Sequence, residues 1–153
     1  MNIELAREQM VEQQVHAWEV FDERVLTTMR EVRREQFAPA SLREVAFADA
    51  SIPLPPGQMM LPAKLHGRIL QALSVNPADI ALEIGAGSGF LSACLGMLAA
   101  RVRSLEIFPD LADLARRNLF EAAINNVSVE VADATQFSEQ SAYDVIAVTG
   151  SLP

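Results

Sequence analysis

From residue 80 onward, short apolar runs alternate with longer stretches whose apolar residues recur every three or four positions. The short runs at 80–84, 102–107, 127–131 and 145–148 have the length and the valine and isoleucine content of strands. Between them, about 88–99 reads as a helix. A second helix opens at Pro109, whose missing N–H would be unpaired in a first turn anyway, and carries Leu111, Leu114, Ala115, Leu119 and Ala122 on one face. A further helix, about 63–73, leads into the turn Asn76-Pro77-Ala78-Asp79. Strands and helices in this alternation predict βαβ units, and so an α/β fold with a parallel sheet and right-handed crossovers.

The first 36 residues have a different rhythm. Leu5, Met10, Val11, Val15 and Trp18 roughly share one helix face, which predicts core packing. Asp22 is placed to cap a second helix carrying Val25, Leu26, Met29 and Val32. Residues 37–62 contain Pro39, Pro53, Pro55, Pro56, Gly57 and Pro62, which exclude a long helix or a central strand. The same stretch carries Phe37, Leu42, Val45, Phe47, Ile52 and Leu54, so it reads as an ordered loop or short β-hairpin. The organisation expected is one continuous structural domain, with 1–62 an N-terminal segment of helices and hairpin and 63–153 the α/β part.

Charge and composition narrow the function. A formal net charge of −8, with Lys64 the only lysine, argues against a nucleic-acid surface. Arg30, Arg33 and Arg34 are interleaved with Glu31 and Glu35 and read as a solvated helix end. No apolar run reaches the roughly 18 residues of a membrane span, and the start Met1-Asn2-Ile3-Glu4 does not read as a secretory signal. The single cysteine, Cys94, fits a buried helix position and a reducing cytoplasm. His16 and His66 are far apart in sequence and read as surface or capping residues.

The most informative segment is Leu82-Glu83-Ile84-Gly85-Ala86-Gly87-Ser88-Gly89-Phe90, between a predicted strand and a predicted helix. Glycines tolerate the positive φ of a tight strand-to-helix turn, and the helix start beyond offers N–H groups to an anionic group. The dinucleotide pattern G-x-G-x-x-G is not met, because its third glycine position is Phe90. No Gly-Lys-Ser/Thr follows the loop either. Glu106 lies 21 residues after Gly85, at a strand end, where an acid can accept hydrogen bonds from both hydroxyls of a ribose. Asp133 follows the third strand, where a carboxylate could take an amino proton from adenine.

Together these residues resemble a class I methyltransferase that uses S-adenosylmethionine. Glu83 with Gly85, Gly87 and Gly89 resembles its first motif, Glu106 its ribose acid, Asp133-Ala134 its adenine-side motif and Tyr143-Asp144-Val145-Ile146 its fourth-strand motif. Upstream, Glu31 to Pro39 resembles the "VPRE-x-F-x-P" stretch of protein-L-isoaspartate O-methyltransferases, and Ala46-Phe47-Ala48-Asp49 their "A-Y-x-D". Ile52-Pro53-Leu54 and Gly57-Gln58 resemble their substrate-side segment, and Met10 to Val15 the N-terminal helix of a bacterial branch. The likeness covers essentially the whole chain.

The resemblance implies a Rossmann-like sheet with helices on both faces and an N-terminal helical extension. It also implies S-adenosylmethionine as cofactor, S-adenosylhomocysteine as product, no metal, and isoaspartyl-containing proteins or peptides as substrate. It places the cofactor's methionine end at Glu83, Gly85, Gly87 and Gly89, the ribose at Glu106, and the adenine at Asp133 and Ala134. Gln58, Met59, Met60 and Leu61 would face the methyl-transfer site. Two departures stand out. The family's Thr-Ile-Ser after Gly57-Gln58 is replaced by Met59-Met60-Leu61, and leucine cannot hydrogen bond a substrate carboxylate. The family's sheet also continues with three more strands, so the chain reads as C-terminally truncated, with 145–148 an exposed apolar edge. Homodimer formation through that edge, domain exchange or poor solubility are the expected consequences. A methyltransferase for another acceptor and a non-catalytic binding protein of the same fold remain the alternatives.

Overall fold

The computed structural model describes residues 1–150 and divides into two compact units, Met1–Ser74 and Val75 onward. The end of the predicted α/β segment, residues 151–153, lies outside the described residues.

The first unit is built from short helical pieces. Helix α1 (Ile3–Met10) starts at Asn2, whose side chain accepts the Leu5 N–H, and runs into a π-helical turn, Val11–Val15, and a 3-10 turn, His16–Trp18. Glu19, with a φ of 64°, ends this run. Helix α2 (Glu23–Glu31) is capped by Asp22 as predicted, and it buries Val25, Leu26, Thr28 and Met29. Two 3-10 segments, Arg34–Gln36 and Ala40–Phe47, lead to an antiparallel hairpin of β1 (Ile52–Leu54) and β2 (Gln58–Met60). The turn between them holds a cis Pro55–Pro56 peptide and Gly57 at a φ of 68°. Helix α3 (Ala63–Leu73) completes the unit, packing Gly67 where a Cβ would meet Val15 at 2.5 Å.

Three expectations fail in this unit. Leu5 and Trp18 are 54% and 48% exposed rather than in the core. The π and 3-10 turns change the angle per residue, so a face drawn at 3.6 residues per turn loses phase along residues 3–18. Arg34 is fully buried, not part of a solvated helix end. Helix α2 stops at Glu31, and the 3-10 turn that follows buries Arg34 and Glu35. His66 is likewise buried rather than at the surface.

The second unit is a parallel four-stranded sheet in the order β5-β4-β3-β6, with β3 at Ile80–Ile84, β4 at Arg101–Glu106, β5 at Val127–Val131 and β6 at Val145–Val148. The apolar runs place all four strands within a residue of their predicted positions. Helix α4 (Phe90–Leu98) joins β3 to β4 and is buried along nearly its whole length, matching its nearly unbroken apolar sequence. Cys94 is among its buried residues. Helix α5 (Pro109–Glu121) joins β4 to β5, with Pro109 in its first turn and Leu111, Ala112, Ala115 and Leu119 buried. The chain moves outward from β3 to β4 and β5, then returns to add β6 on the other side of β3. That reversal puts a topological switch point at β3, and ligands of open α/β sheets bind beyond the carboxyl ends of strands at such points. Strand β6 is an edge strand among the described residues, with Ile146 and Val148 51% and 50% exposed. No helix among the described residues is long and apolar enough to cross a membrane.

Candidate functional site

All four strands of the sheet are parallel, so everything that follows a strand end gathers at one edge. The glycine loop follows β3, Glu106 ends β4, Asp133 lies just past β5, and Thr149 just past β6. Hydrogen bonds join these ends. The Gly87 N–H donates to Glu106 Oε1 at 2.8 Å, and the Phe108 N–H to its Oε2 at 3.1 Å. The Ala132 N–H donates to the Glu106 carbonyl at 3.1 Å. From the β6 side, the Gly150 N–H donates to the Ile84 carbonyl at 2.9 Å and the Thr149 hydroxyl to the Gly85 carbonyl at 3.1 Å.

The loop needs glycine at its two ends for separate reasons. Gly85 has a φ of 100°, and a Cβ there would lie 2.5 Å from the Gly150 nitrogen. Gly89 has a φ of 93°, and its Cβ would press on Ala115 of α5 at 3.3 Å. Both clashes are with backbone or a short side chain, which cannot swing away. Helix α4 begins directly after Gly89 with no side-chain cap. The bare loop backbone and this helix start form a surface from which side chains are absent, which suits close approach of a ligand.

Glu106 is 5% exposed. Each of its oxygens takes one backbone N–H and keeps a further acceptor site, so the carboxylate can still accept two hydroxyls. Asp133 is half-buried, and its Oδ1 accepts from the Thr135 N–H and hydroxyl at 2.9 and 2.7 Å, starting the 3-10 turn Ala134–Gln136. The Thr135 hydroxyl, and then its N–H, hold the Asp133 carboxyl below the usual range. The carboxylate keeps acceptor capacity beyond these two bonds. Ala134 is half-buried beside it.

Glu83 is fully buried. Its Oε1 accepts the Ser92 hydroxyl from α4 and the Ser104 hydroxyl from β4, the latter at 2.7 Å, while its Oε2 has no partner among the described residues. Burial pushes the Glu83 carboxyl up, the two serines pull it back, and Glu106 raises it further, to about 7. Sequence reasoning missed the two serines. Part of the signal was available: Ser92 is a polar residue inside an apolar run, and Ser104 lies on the neighbouring strand as the register partner of Glu83.

The predicted substrate-side residues fall in the first unit, the loop and acids in the second. Gln58 and Met59 are exposed, Met60 is buried and Leu61 half-buried, so the four do not share one face. Their backbone is fixed from behind. Arg34 donates through Nη2 to the Leu61 carbonyl at 2.6 Å, through Nε to the Ala46 carbonyl at 2.9 Å, and through Nη1 to His66 Nδ1 at 3.0 Å. Burial, and then the neighbouring guanidinium, hold His66 well below its ordinary pKa, so it is neutral and can accept from Arg34. This brace, too, was missed from sequence.

Comparison with known proteins identifies the family and the fold. The sequence profile of the protein-L-isoaspartate(D-aspartate) O-methyltransferase family matches residues 5–153. The chain is 41% identical to a protein-L-isoaspartate O-methyltransferase of Methanoculleus marisnigri, over 96% of this chain and 67% of that one. It is 37% identical to the enzyme of the same name from Koribacter versatilis, over 97% and 68%. It therefore spans about two thirds of the length of such relatives. Among solved structures, a Plasmodium falciparum chain described as a protein-L-isoaspartate O-methyltransferase in complex with S-adenosyl-L-homocysteine superimposes with a TM-score of 0.81. It is 21% identical, with 96% of this chain and 76% of that one covered, and the likeness carries the fold.

Proposed function

The chain belongs to the protein-L-isoaspartate(D-aspartate) O-methyltransferase family, and from that premise we propose that it binds S-adenosylmethionine at the β3 loop and methylates the side-chain carboxylate of isoaspartyl residues in proteins. The observation that carries this reading is the link between Gly87 and Glu106 at the switch point: a bare loop backbone held against a buried acid with acceptor capacity to spare.

S-adenosylmethionine supplies a methyl group on a positively charged sulfur. The residues present suit it. The loop from Gly85 to Gly89 would take the methionine end without side chains in the way. Glu106 would accept the ribose hydroxyls, and Asp133 Oδ2, next to Ala134, an adenine amino proton. An isoaspartyl carboxylate is already ionised at neutral pH, given a reference pKa of about 4, so the chain needs no strong general base. Its work is orientation and exclusion of water. The segment Gln58–Leu61, braced by Arg34 through the Leu61 carbonyl, is the substrate-side element of this reading. The buried Cys94, the single cysteine of the sequence, supports a reducing, cytoplasmic setting. The exposed Ile146 and Val148 on the β6 edge support pairing with a second copy, which sedimentation of the purified chain would reveal.

Calorimetric titration with S-adenosylhomocysteine tests the cofactor site. Saturable binding is expected, abolished in Gly87→Val, and weakened by about 1–3 kcal/mol in Glu106→Ala. Unchanged affinity in both variants would sink the assignment. Methyl transfer to an isoaspartyl peptide but not to its aspartyl twin tests the substrate.

A further inference from the structure

Two buried acids bracket the glycine loop, and they are not equivalent. Each Glu106 oxygen accepts one backbone N–H, one of them from the loop itself. Glu83, two residues before Gly85, takes both of its serine hydroxyls on Oε1 and leaves Oε2 buried with no partner among the described residues. An ionised carboxylate with a stranded oxygen in a dry interior is costly, and a like charge nearby adds to that cost. A proton on Oε2 removes it.

Among the described residues, the strands and helix around Glu83 offer no cation to replace that proton. Helix α4 carries no Asp, Glu, Lys, Arg or His, and within β3 and β6 Glu83 is the only charged residue. Asp144, just before β6, spends Oδ2 on the Ile80 N–H. On β4, Ser104 and Glu106 share the face toward Glu83. Arg103 is on the opposite face, held by Glu130, Glu139 and Tyr143. Among the charged groups on these elements, the one acting on Glu83 is Glu106.

We propose that Glu83 holds a proton in the ligand-free chain and releases it when a cation settles at the glycine loop, so that Glu83 makes the loop favour a cationic ligand over a neutral one of the same shape. The inference rests on the reading of the loop as the S-adenosylmethionine site. There it has a direct consequence. S-adenosylmethionine carries one more positive charge, at sulfur, than S-adenosylhomocysteine, and the rest of the two molecules is shared. Glu83 acts through its field from behind the loop, as a positioning residue rather than a catalytic one. The released proton passes to solvent, where a buffer takes it up.

The experiment is calorimetric titration of the full chain with each ligand in phosphate and in Tris, whose ionisation enthalpies differ. The dependence of observed heat on buffer gives the protons released. At pH 6.5, where a group titrating near 7 is mostly protonated, S-adenosylmethionine should release roughly half a proton or more. S-adenosylhomocysteine should release clearly less, and at pH 8 the release should shrink several-fold. Glu83→Gln should bind both ligands, release no proton and lose part of the preference for the cation. Binding of S-adenosylmethionine with no release at pH 6.5, or a release undiminished in Glu83→Gln, overturns the proposal while leaving the cofactor site standing. If Glu83→Gln does not fold, the unaltered chain decides: a release equal at pH 6.5 and pH 8 overturns it. A chain that binds neither ligand overturns the cofactor reading and this inference with it.

Discussion

In the first unit a fully buried ionisable side chain is a cation, Arg34, and three of its hydrogen bonds run to neutral acceptors: the carbonyls of Ala46 and Leu61 and the imidazole of His66. In the second unit it is an acid, Glu83, with two hydroxyls on one oxygen and nothing on the other. The difference follows from the backbone around them. Around Arg34 the first unit is made of 3-10 turns and a short hairpin, which leave carbonyls unserved inside. A guanidinium, with five donors in a rigid fork, can serve several at once. In the second unit the sheet satisfies its own backbone, so a buried charge has nothing to repair and becomes a cost unless a proton or a ligand balances it. One buried charge builds structure; the other stores a response.

The largest break in this comparison should come from Arg34→Met. It removes the donors but keeps the bulk, leaving two carbonyls and an imidazole nitrogen buried without their partner. At about 1–3 kcal/mol for each unserved group, partly relieved by relaxation, the loss should be about 3–5 kcal/mol. Urea unfolding followed through Trp18, the only tryptophan and a residue of the first unit, measures it. A loss below about 1 kcal/mol would mean that the arginine is not the brace. Next comes Glu83, whose effect depends on pH. Its carboxyl is raised from 4.5 to about 7 by burial. Between those values the folded state holds a proton that the unfolded state has lost. Stability is therefore complete below pH 4.5, falls as pH rises toward 7, and stays reduced above. The difference is of order 3 kcal/mol, and Glu83→Gln should abolish it. Unfolding at pH 5 and pH 8, read through absorbance of Tyr143, the only tyrosine and a residue of the second unit, would show the slope.

His66 should give the opposite slope in the first unit. Burial and the Arg34 charge keep it neutral when folded, while the unfolded chain takes up a proton below the ordinary histidine value of 6.5. The unfolded state then binds more protons, so stability is full above pH 6.5 and is lost as the solution becomes more acidic. In Glu83→Gln, which removes the opposing slope, Trp18 should therefore report unfolding at lower urea concentrations at pH 5 than at pH 7.5. Equal midpoints at the two pH values in that variant would contradict the contrast between the buried base and the buried acid.

How far these features were legible in the sequence differs between the units for the same reason. Strands β3, β5 and β6 sit where the apolar runs predict them because a parallel sheet buries continuous runs. Once the strands are parallel, Gly85, Glu106 and Asp133 must meet at one edge, so their grouping could be read in advance. The first unit offers no such rule. Leu5 and Trp18 left the expected face because a π turn and a 3-10 turn intervened, and nothing in Val11–Val15 announces the π turn. Arg34 looked solvated because its neighbours Glu31, Arg33 and Glu35 are charged. Its partners, at Ala46, Leu61 and His66, are 12, 27 and 32 residues away, beyond the reach of any local pattern.

The smallest effect sharpens what separates a useful acid from a costly one. Asp22 starts α2 with its Oδ1 accepting the Arg24 N–H at 2.9 Å. Asp22→Ala leaves that N–H without this acceptor and should cost about 1 kcal/mol, visible through Trp18. Asp22→Asn keeps an acceptor oxygen without the charge and should recover most of the loss, leaving only the helix-dipole part of a few tenths of a kcal/mol. At Glu83 the same exchange of carboxylate for amide should raise stability at pH 8 instead. Both exchanges remove a negative charge and keep the shape. Their signs differ because Asp22 is half-buried and aimed at a backbone donor, whereas Glu83 is fully buried with an oxygen to spare. If Asp22→Asn were as damaging as Asp22→Ala, charge rather than hydrogen bonding would govern the exposed acid as well. The contrast between the units would then rest on burial alone.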